Sequence, residues 1–280
     1  MAIDGGYDTL IDGQSLRSFA WNVKTYGGIM GVPAKRSTDR EVPGQHGVVH
    51  IGGETYEAGQ IILNMWVLGC QQDGSIPPEG SRGRDQLMQN VRFLSRLFAR
   101  PGLRQIRQES DLGVVECEAK MVDNMDFTTQ AGVTRAEFTV DLIVPHPFWR
   151  NLAEVTETLA PSAAAAGVTL GEWAGAIGPQ TGLKYEVKGP WSNPRLMNPE
   201  TGQWVQYEGS LTGSQTWILD GWTSKVGSAN VLKDTVRGGV GSTWLDLEAV
   251  APAGPKVLMS GDWSTGASVK VTGRKQYLIP

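Results

Sequence analysis

The chain has 280 residues, which is enough for two domains that each bury their own core. Its 25 Lys and Arg residues nearly balance 29 Asp and Glu, so the net charge is only −4. This composition excludes a disordered chain and argues against sequence-specific binding of nucleic acid, which requires a basic excess. The longest apolar run, residues 60–68, is far shorter than the ~20 residues of a membrane-spanning helix, so we expect no membrane insertion.

Two features of the composition favour strands. Glycine contributes 36 residues without a collagen-like period, which indicates frequent turns. Ten tryptophans, seven of them after residue 150, supply the large rings that fill the space between packed sheets. The sequence therefore predicts a mainly β fold.

The first half of the chain predicts strands around one helix. Asp12-Gly13 lies between apolar runs and favours a tight hairpin within residues 7–21. The expected elements that follow are an exposed loop over 24–46, strands over 47–51 and 60–68, the second of them buried on both faces, a loop over 71–83, and strands over 112–122 and 134–144.

The helix is predicted over residues 84–99. Its apolar stripe recurs at helical spacing, and Pro101-Gly102 ends it; the stripe consists of Leu87, Val91, Leu94 and Phe98. Residues 145–150 contain two prolines that disfavour regular structure, so we expect the domain boundary there.

The second half shows no helical period. Short apolar runs alternate with turn clusters at a spacing typical of a β-sandwich. Strands are expected over 168–177, 183–188, 203–207, 216–219, 243–250, 256–260 and 268–272, and residues 163–166 are expected to be a loop.

No catalytic constellation is evident. His46 and His50 lie on a predicted strand, where four residues span ~13 Å, too far for shared metal ligation, and His146 is flanked by prolines. Cys70 and Cys117 have no metal-like spacing and are interpreted as buried free thiols in strands. We therefore expect no enzyme activity, no metal and no cofactor, although a carboxylate pair of a hydrolase remains an alternative.

One basic series has two interpretations. The arginines at its core recur every four residues, beside Arg82, Arg84 and Arg107; they are Arg92, Arg96, Arg100 and Arg104. They form either a solvated face or a contact with acidic groups of a neighbouring subunit or with nucleic acid.

The order of these features resembles the distal tail proteins of long-tailed, non-contractile bacteriophages. The resemblance extends over nearly the whole chain and no single motif is specific. It is carried by Leu10-Ile11-Asp12-Gly13, residues 42–47, 61–67, 84–99, Pro147-Phe148-Trp149, 192–198, Thr201-Gly202, 217–220, 242–247 and 268–271.

The resemblance implies two domains with different roles. Residues 1–150 would form a β-rich domain that closes into a hexameric ring around the DNA channel, and residues 151–280 a galectin-like β-sandwich that projects outward. Implied partners are the tail tube protein, the tape measure protein and the hub or receptor-binding proteins of the same virion. The implied location is the tail tip, after assembly in the host cytoplasm, and the start of the chain has no secretion signal pattern.

A galectin-like domain raises the possibility of a sugar site. Asn193 and Arg195 match part of the galectin motif H-x-N-P-R, but Trp204 and Glu208 are one residue too far apart for its W-x-x-E element. The alternative function is therefore a carbohydrate-binding accessory tail protein or module. Its stacking candidates would be Trp204, Trp217, Trp222 and Trp263.

Overall fold

The computed structural model describes residues 8–27, 31–36, 40–41, 48–49, 55–76, 83–110, 113–129, 134–164, 166–221, 223–230, 236–238, 245–249 and 252–280. The chain divides into two compact units. Unit 1 comprises Met1–Trp149 and Leu278–Pro280, and unit 2 comprises Arg150–Tyr277. Within the described ranges, no helix combines the length and the apolar character needed to cross a membrane.

Unit 1 is a sheet covered by a helix. Its elements are β1 (Thr9–Ile11), β2 (Gln14–Ser15), β3 (Trp21–Gly27), β4 (Lys35–Arg36), β5 (Arg40–Glu41), β6 (Val48–Val49), β7 (Thr55–Tyr56), β8 (Gly59–Leu68), α1 (Gly83–Phe98), β9 (Arg104–Ser110), β10 (Gly113–Met121), β11 (Thr128–Thr129) and β12 (Arg135–Val144). β13 (Trp149–Asn151) follows where the chain enters unit 2.

The main sheet of unit 1 runs in the order β2-β1-β9-β10-β12-β8-β3, and its neighbouring strands are antiparallel. The predicted hairpin is present, because Ile11 pairs with Gln14 across a two-residue turn. Asp12 and Gly13 have φ of 49° and 81°, the positive values that such a turn requires.

Strand β8 corrects one prediction. Its residues alternate between a buried face that includes Leu63 and Met65 and a half-buried face that includes Asn64 and Trp66. It is therefore not buried on both faces. The sequence shows no alternation here because large apolar side chains, such as Trp66, also occupy part of the outer face.

Helix α1 is displaced by one residue at each end from the predicted 84–99. Leu87, Leu94 and Phe98 are buried as the apolar stripe predicts, and the helix contacts β8 and β12. Val91 is only half-buried, whereas Asn90 is buried and donates from Nδ2 to the carbonyl oxygens of Leu68 and Cys70, at 2.8 and 2.9 Å. A polar side chain thus fastens the helix to the end of β8.

Other boundaries in unit 1 also differ from the predictions. The loop expected over 24–46 begins later, because β3 continues to Gly27, and Trp149 and Arg150 belong to β13 rather than to irregular chain. Strand β9 was not predicted, since Ile106 is its one apolar residue. Most of the loop over 28–47 lies outside the described residues.

Unit 1 also holds a cavity of about 240 Å³. Its lining includes Trp149, the last residue of the unit before the chain departs, and Leu278, the first residue after it returns. The residues of unit 1 that directly precede and follow unit 2 in the chain therefore lie close together.

Unit 2 consists of two six-stranded sheets and one small ladder. Its further elements are β14 (Val155–Leu159), β15 (Val168–Thr169), a 3₁₀ turn (Gly171–Trp173), β16 (Gly178–Gln180), β17 (Lys184–Lys188), β18 (Trp191–Met197), β19 (Trp204–Tyr207), β20 (Ser210–Leu211), β21 (Thr216–Asp220), β22 (Thr223–Val226), β23 (Ala229–Asn230), β24 (Val236–Gly238), β25 (Leu247–Ala249), β26 (Lys256–Trp263), β27 (Ser268–Gly273) and β28 (Gln276–Tyr277).

The two large sheets of unit 2 enclose one core. One sheet runs β14-β27-β17-β21-β22-β23 and the other β15-β26-β18-β19-β24, with β20 beside β18. Both contribute to one buried cluster, in which Trp173, Trp191 and Trp217 are at most 1% exposed. The unit is a β-sandwich, and the predicted mainly β class with one helix is confirmed for the described chain.

In unit 2 one predicted strand is shorter than expected, and several observed strands, β18 among them, were not predicted. The strand expected over 168–177 ends at Thr169, where the 3₁₀ turn places Trp173 in the core. Strand β18 was not predicted because Asn193 and Pro194 resemble a turn. Asn193 has a positive φ of 48° at a bulge inside this strand.

Candidate functional site

The predicted arginine series does not form one helical stripe. Arg92 and Arg96 lie on the exposed face of α1, and Arg100 is exposed just beyond its end. Arg104 is half-buried on strand β9. Its spacing of four residues from Arg100 therefore does not place it on a helix face. The structure therefore separates the series into two helix residues, one exposed residue beyond the helix and one strand residue with another role.

Arg104 fastens the first hairpin to β9. Its Nη1 lies 3.0 Å from Oδ2 of Asp12, and its Nη2 donates to the Pro101 carbonyl at 2.6 Å. The Gln105 amide donates to the other oxygen of Asp12, at 3.1 Å. On the same strand, Arg107 lies 3.3 Å from the buried carboxylate of Glu116. These strand arginines stabilise unit 1 itself.

The exposed helix face combines charge with apolar surface. Met88, Arg92 and Arg96 are four residues apart and therefore lie along one stripe, with Phe93 at its flank. Met88 is 43% exposed, and Phe93, although 39% exposed, stacks on the buried Trp21 at 5.3 Å between ring centroids. We call these four residues the helix face.

An acidic groove of about 670 Å³ lies elsewhere on unit 1. Its carboxylates come from the segment after β10 and from outward-facing positions of β12; they are Asp123, Asp126, Glu137 and Asp141. The sequence analysis missed this groove. Alternation along β12 was the available signal, because it places Glu137, Thr139 and Asp141 on one face.

A ladder of polar side chains forms the floor of the acidic groove. Thr139 donates to Asn64 at 2.8 Å, and Asn64 donates to Thr25 at 2.9 Å, which links β12, β8 and β3. Glu137 is held by Arg135 at 2.6 Å and by Lys24 at 3.9 Å. The floor of the groove is thus built on three paired strands.

Two of the three predicted sugar-site residues, Arg195 and Trp204, contact each other in unit 2. The Arg195 guanidinium lies 4.1 Å from the centroid of the Trp204 ring, across neighbouring strands β18 and β19. Oδ1 of Asn193 instead accepts a hydrogen bond from the backbone N–H of Gly209 at 3.1 Å, and the backbone N–H of Asn193 donates to the Gly209 carbonyl at 2.7 Å. Arg195 therefore covers one face of the indole, and Asn193 holds a turn. A sugar site here stays a prediction.

The other stacking candidates differ in exposure. Trp217 is fully buried and donates to the Ser224 hydroxyl at 2.8 Å, so its ring belongs to the core. Trp263 is half-buried and packs edge-on against Trp191. Trp222 lies outside the described residues.

The cysteines and histidines offer no assembled chemistry in the described chain. Cys117 is buried in β10, but Cys70 is half-buried in a turn after β8, which corrects its predicted place in a strand. Burial raises the pKa of the Cys70 thiol, which donates to the Phe19 carbonyl at 3.3 Å. His146 is exposed, and His46 and His50 lie outside the described residues. Across the described ranges, no group of three or more His, Cys, Asp or Glu residues could hold a metal ion.

No protein-family model and no curated protein matches the chain. Among solved structures, the fold is that of a phage tail hub component. The crystal structure of the SPP1 Dit protein, described as a paradigm of the hub adsorption apparatus in phages that infect Gram-positive bacteria, matches over 97% of this chain and 99% of that one, with 15% identity and a TM-score of 0.59. This chain therefore shares the fold of the phage distal tail family that its sequence resembles.

Two structures of the phage p2 baseplate in its activated conformation also match. The match to the structure with Sr covers 96% of this chain and 98% of the p2 chain, with 8% identity and a TM-score of 0.40. The structure with Ca covers 95% and 97%, with 8% identity and a TM-score of 0.39. Scores this low add nothing to the fold assignment.

Proposed function

We propose that the chain is a structural distal tail protein of a bacteriophage. In this proposal, six copies form a ring at the tail tip that surrounds the DNA channel and connects the tail tube to the host-adsorption apparatus. Unit 1 forms the ring, and unit 2 is the galectin-like sandwich. The chain acts through protein surfaces and has no catalytic step.

The observation that carries this proposal is the extent of the structural match. The similarity to SPP1 Dit includes almost the whole of both chains rather than one common module. A β-sandwich alone would match many unrelated proteins, because that architecture hosts many functions. A sheet with one covering helix followed by a sandwich, in this order, is a much more restrictive combination.

The distribution of exposed apolar side chains supports unit 1 as the assembly region. Of the twelve large hydrophobic side chains exposed in the described chain, ten belong to unit 1. Exposed apolar side chains mark sites of contact with other proteins where they lie together in one patch. A ring requires two different surfaces on each subunit, since each copy contacts one neighbour on each side.

The proposed partners follow from this position in the virion. They are the tail tube protein, the tape measure protein and the hub or receptor-binding proteins, and assembly takes place in the host cytoplasm. Arg92 and Arg96 of the helix and Arg100 just beyond its end are the proposed contacts with a neighbouring subunit or with DNA in the channel. Arg104, also predicted as such a contact, is engaged with Asp12 inside unit 1.

The oligomeric state tests the proposal. Light scattering after size exclusion should give six times the 30.2 kDa mass of the chain, and negative-stain images should show rings with a central opening. A monomer at every concentration, with no rings in the images, would overturn the proposal. Turnover of a substrate by the purified chain would overturn it as well.

A further inference from the structure

We infer that the helix face of one subunit binds the acidic groove of the next copy in the ring. This inference rests on the proposed function and specifies the contact that closes the assembly. The partner is a second copy of this chain, recognised by opposite charge.

The helix face carries positive charge without an internal partner. Arg92 and Arg96 are exposed, and neither makes a hydrogen bond or ion pair within the described chain. Arg84 adds a further positive charge to the same helix and Asp85 one negative charge, so the helix surface remains basic. Met88 on the same stripe is an exposed apolar side chain that a partner could cover.

The acidic groove carries the complementary charge. Asp123, Asp126 and Asp141 form no ion pair within the described chain, whereas the nearby Lys24 and Arg135 are engaged by Glu137. Oδ1 of Asp141 is buried and has no hydrogen-bond partner in the structure. A buried carboxylate oxygen without a donor is costly, and an arginine from outside would satisfy it.

The two surfaces lie on opposite faces of the same sheet. Helix α1 covers the face of β8 and β12 to which Leu63 and Val140 point, whereas Asn64 and Thr139 line the groove. Successive residues of a strand point to opposite faces, so the helix and the groove are separated by the sheet. Surfaces on opposite sides of a subunit allow the head-to-tail contact that generates a ring.

The apolar residues favour protein over DNA as the partner of the helix face. Phosphate contacts use arginine and lysine, and they gain nothing from an exposed Met88 or Phe93. The groove supplies carboxylates for the arginines, and contact with a protein surface also covers Met88 and Phe93.

A charge swap tests the contact. The first variant reverses the helix face with Arg92→Glu and Arg96→Glu, the second reverses the groove with Asp123→Lys and Asp126→Lys, and the third combines all four changes. Each of the first two should raise the dissociation constant of the subunit contact about tenfold or more, because like charges then face each other. The third should restore assembly to within about threefold of the wild type, since the reversed surfaces match again. Light scattering at low and high salt measures assembly, and thermal unfolding by circular dichroism confirms that each variant is folded.

The matched control for the helix-face variant reverses two exposed lysines of unit 2, Lys188→Glu and Lys225→Glu, which alters the net charge as much as that variant does. It should assemble like the wild type. Rings that persist in both single-surface variants would overturn this contact and leave the proposed ring intact. Failure of the combined variant to recover would also overturn the contact. A helix-face variant that still assembles but no longer binds duplex DNA would assign the face to DNA instead. A wild-type chain that never assembles would overturn the ring and this contact together.

Discussion

The two units of the chain handle their apolar residues in different ways. Unit 2 encloses its tryptophans between two sheets and exposes only two large hydrophobic side chains among its described residues, Leu152 and Ile177. Unit 1 has one main sheet, and its helix covers one face of that sheet, so its remaining surface combines exposed apolar side chains with uncompensated charge. Unit 2 thus buries nearly all of its large apolar side chains, whereas unit 1 leaves more of them exposed.

The comparison predicts the largest effect in the core of unit 2. Trp217→Ala should lower the free energy of unfolding by about 3–5 kcal/mol, because it removes a fully buried ring and its hydrogen bond to Ser224. Urea denaturation followed by fluorescence measures the loss. Trp204→Ala, at a half-buried position, is the control and should cost less than half as much. Equal costs would show that the core of unit 2 does not depend on its enclosed rings.

The next effect concerns the junction of helix and sheet in unit 1. Asn90→Ala should cost about 2 kcal/mol, because the carbonyl oxygens of Leu68 and Cys70 lose their donor. Gln89→Ala, on the exposed side of the same helix, should change stability by less than about 0.5 kcal/mol. Chemical denaturation compares the two variants. A negligible effect of Asn90→Ala would mean that apolar packing alone holds the helix on the sheet.

A smaller effect is expected at the first hairpin of unit 1. Gly13→Ala should cost about 1 kcal/mol, because Gly13 has φ of 81° and a Cβ there would meet no atom within 4 Å. The loss therefore reflects backbone conformation only. Gly13→Asn should cost less, since asparagine tolerates a left-handed conformation better than alanine. Thermal melts can rank the three chains, and an unchanged Gly13→Ala variant would contradict the assignment of the turn.

The smallest effect lies on the surface of unit 2. The hydrogen bond from Lys184 to Glu186, at 2.9 Å, lowers the pKa of that carboxyl below its ordinary value of 4.5, with help from Lys270. The resulting stabilisation is present above pH 4.5 and is lost as the pH falls through the lowered pKa. Since the pair is largely solvated, Glu186→Gln should cost about 0.5 kcal/mol or less at pH 7 and nothing at pH 2. Stability curves against pH measure this, and a cost that grows towards low pH would reverse the sign of the argument.

Local signals in the sequence predicted the local elements well. The Asp12-Gly13 turn, helix α1 and strand β12 follow from turn chemistry and apolar period. Strand β9 escaped prediction because its pairing partners, rather than its own composition, make it a strand. The acidic groove escaped for a related reason: its residues come from two segments whose proximity depends on tertiary pairing. The contact of Arg104 with Asp12 spans 92 positions and has no local signature.

The path of the chain bears on how such a protein can change over time. Unit 2 begins after Trp149 and ends before Leu278, and these two residues of unit 1 line the same small cavity. The first and the last residue of unit 2 are therefore joined to unit 1 near one place, an arrangement that tolerates exchange of the unit between them. Recombination at two sites could replace the whole sandwich by another module and leave the host scaffold with its original first 149 residues and its original tail.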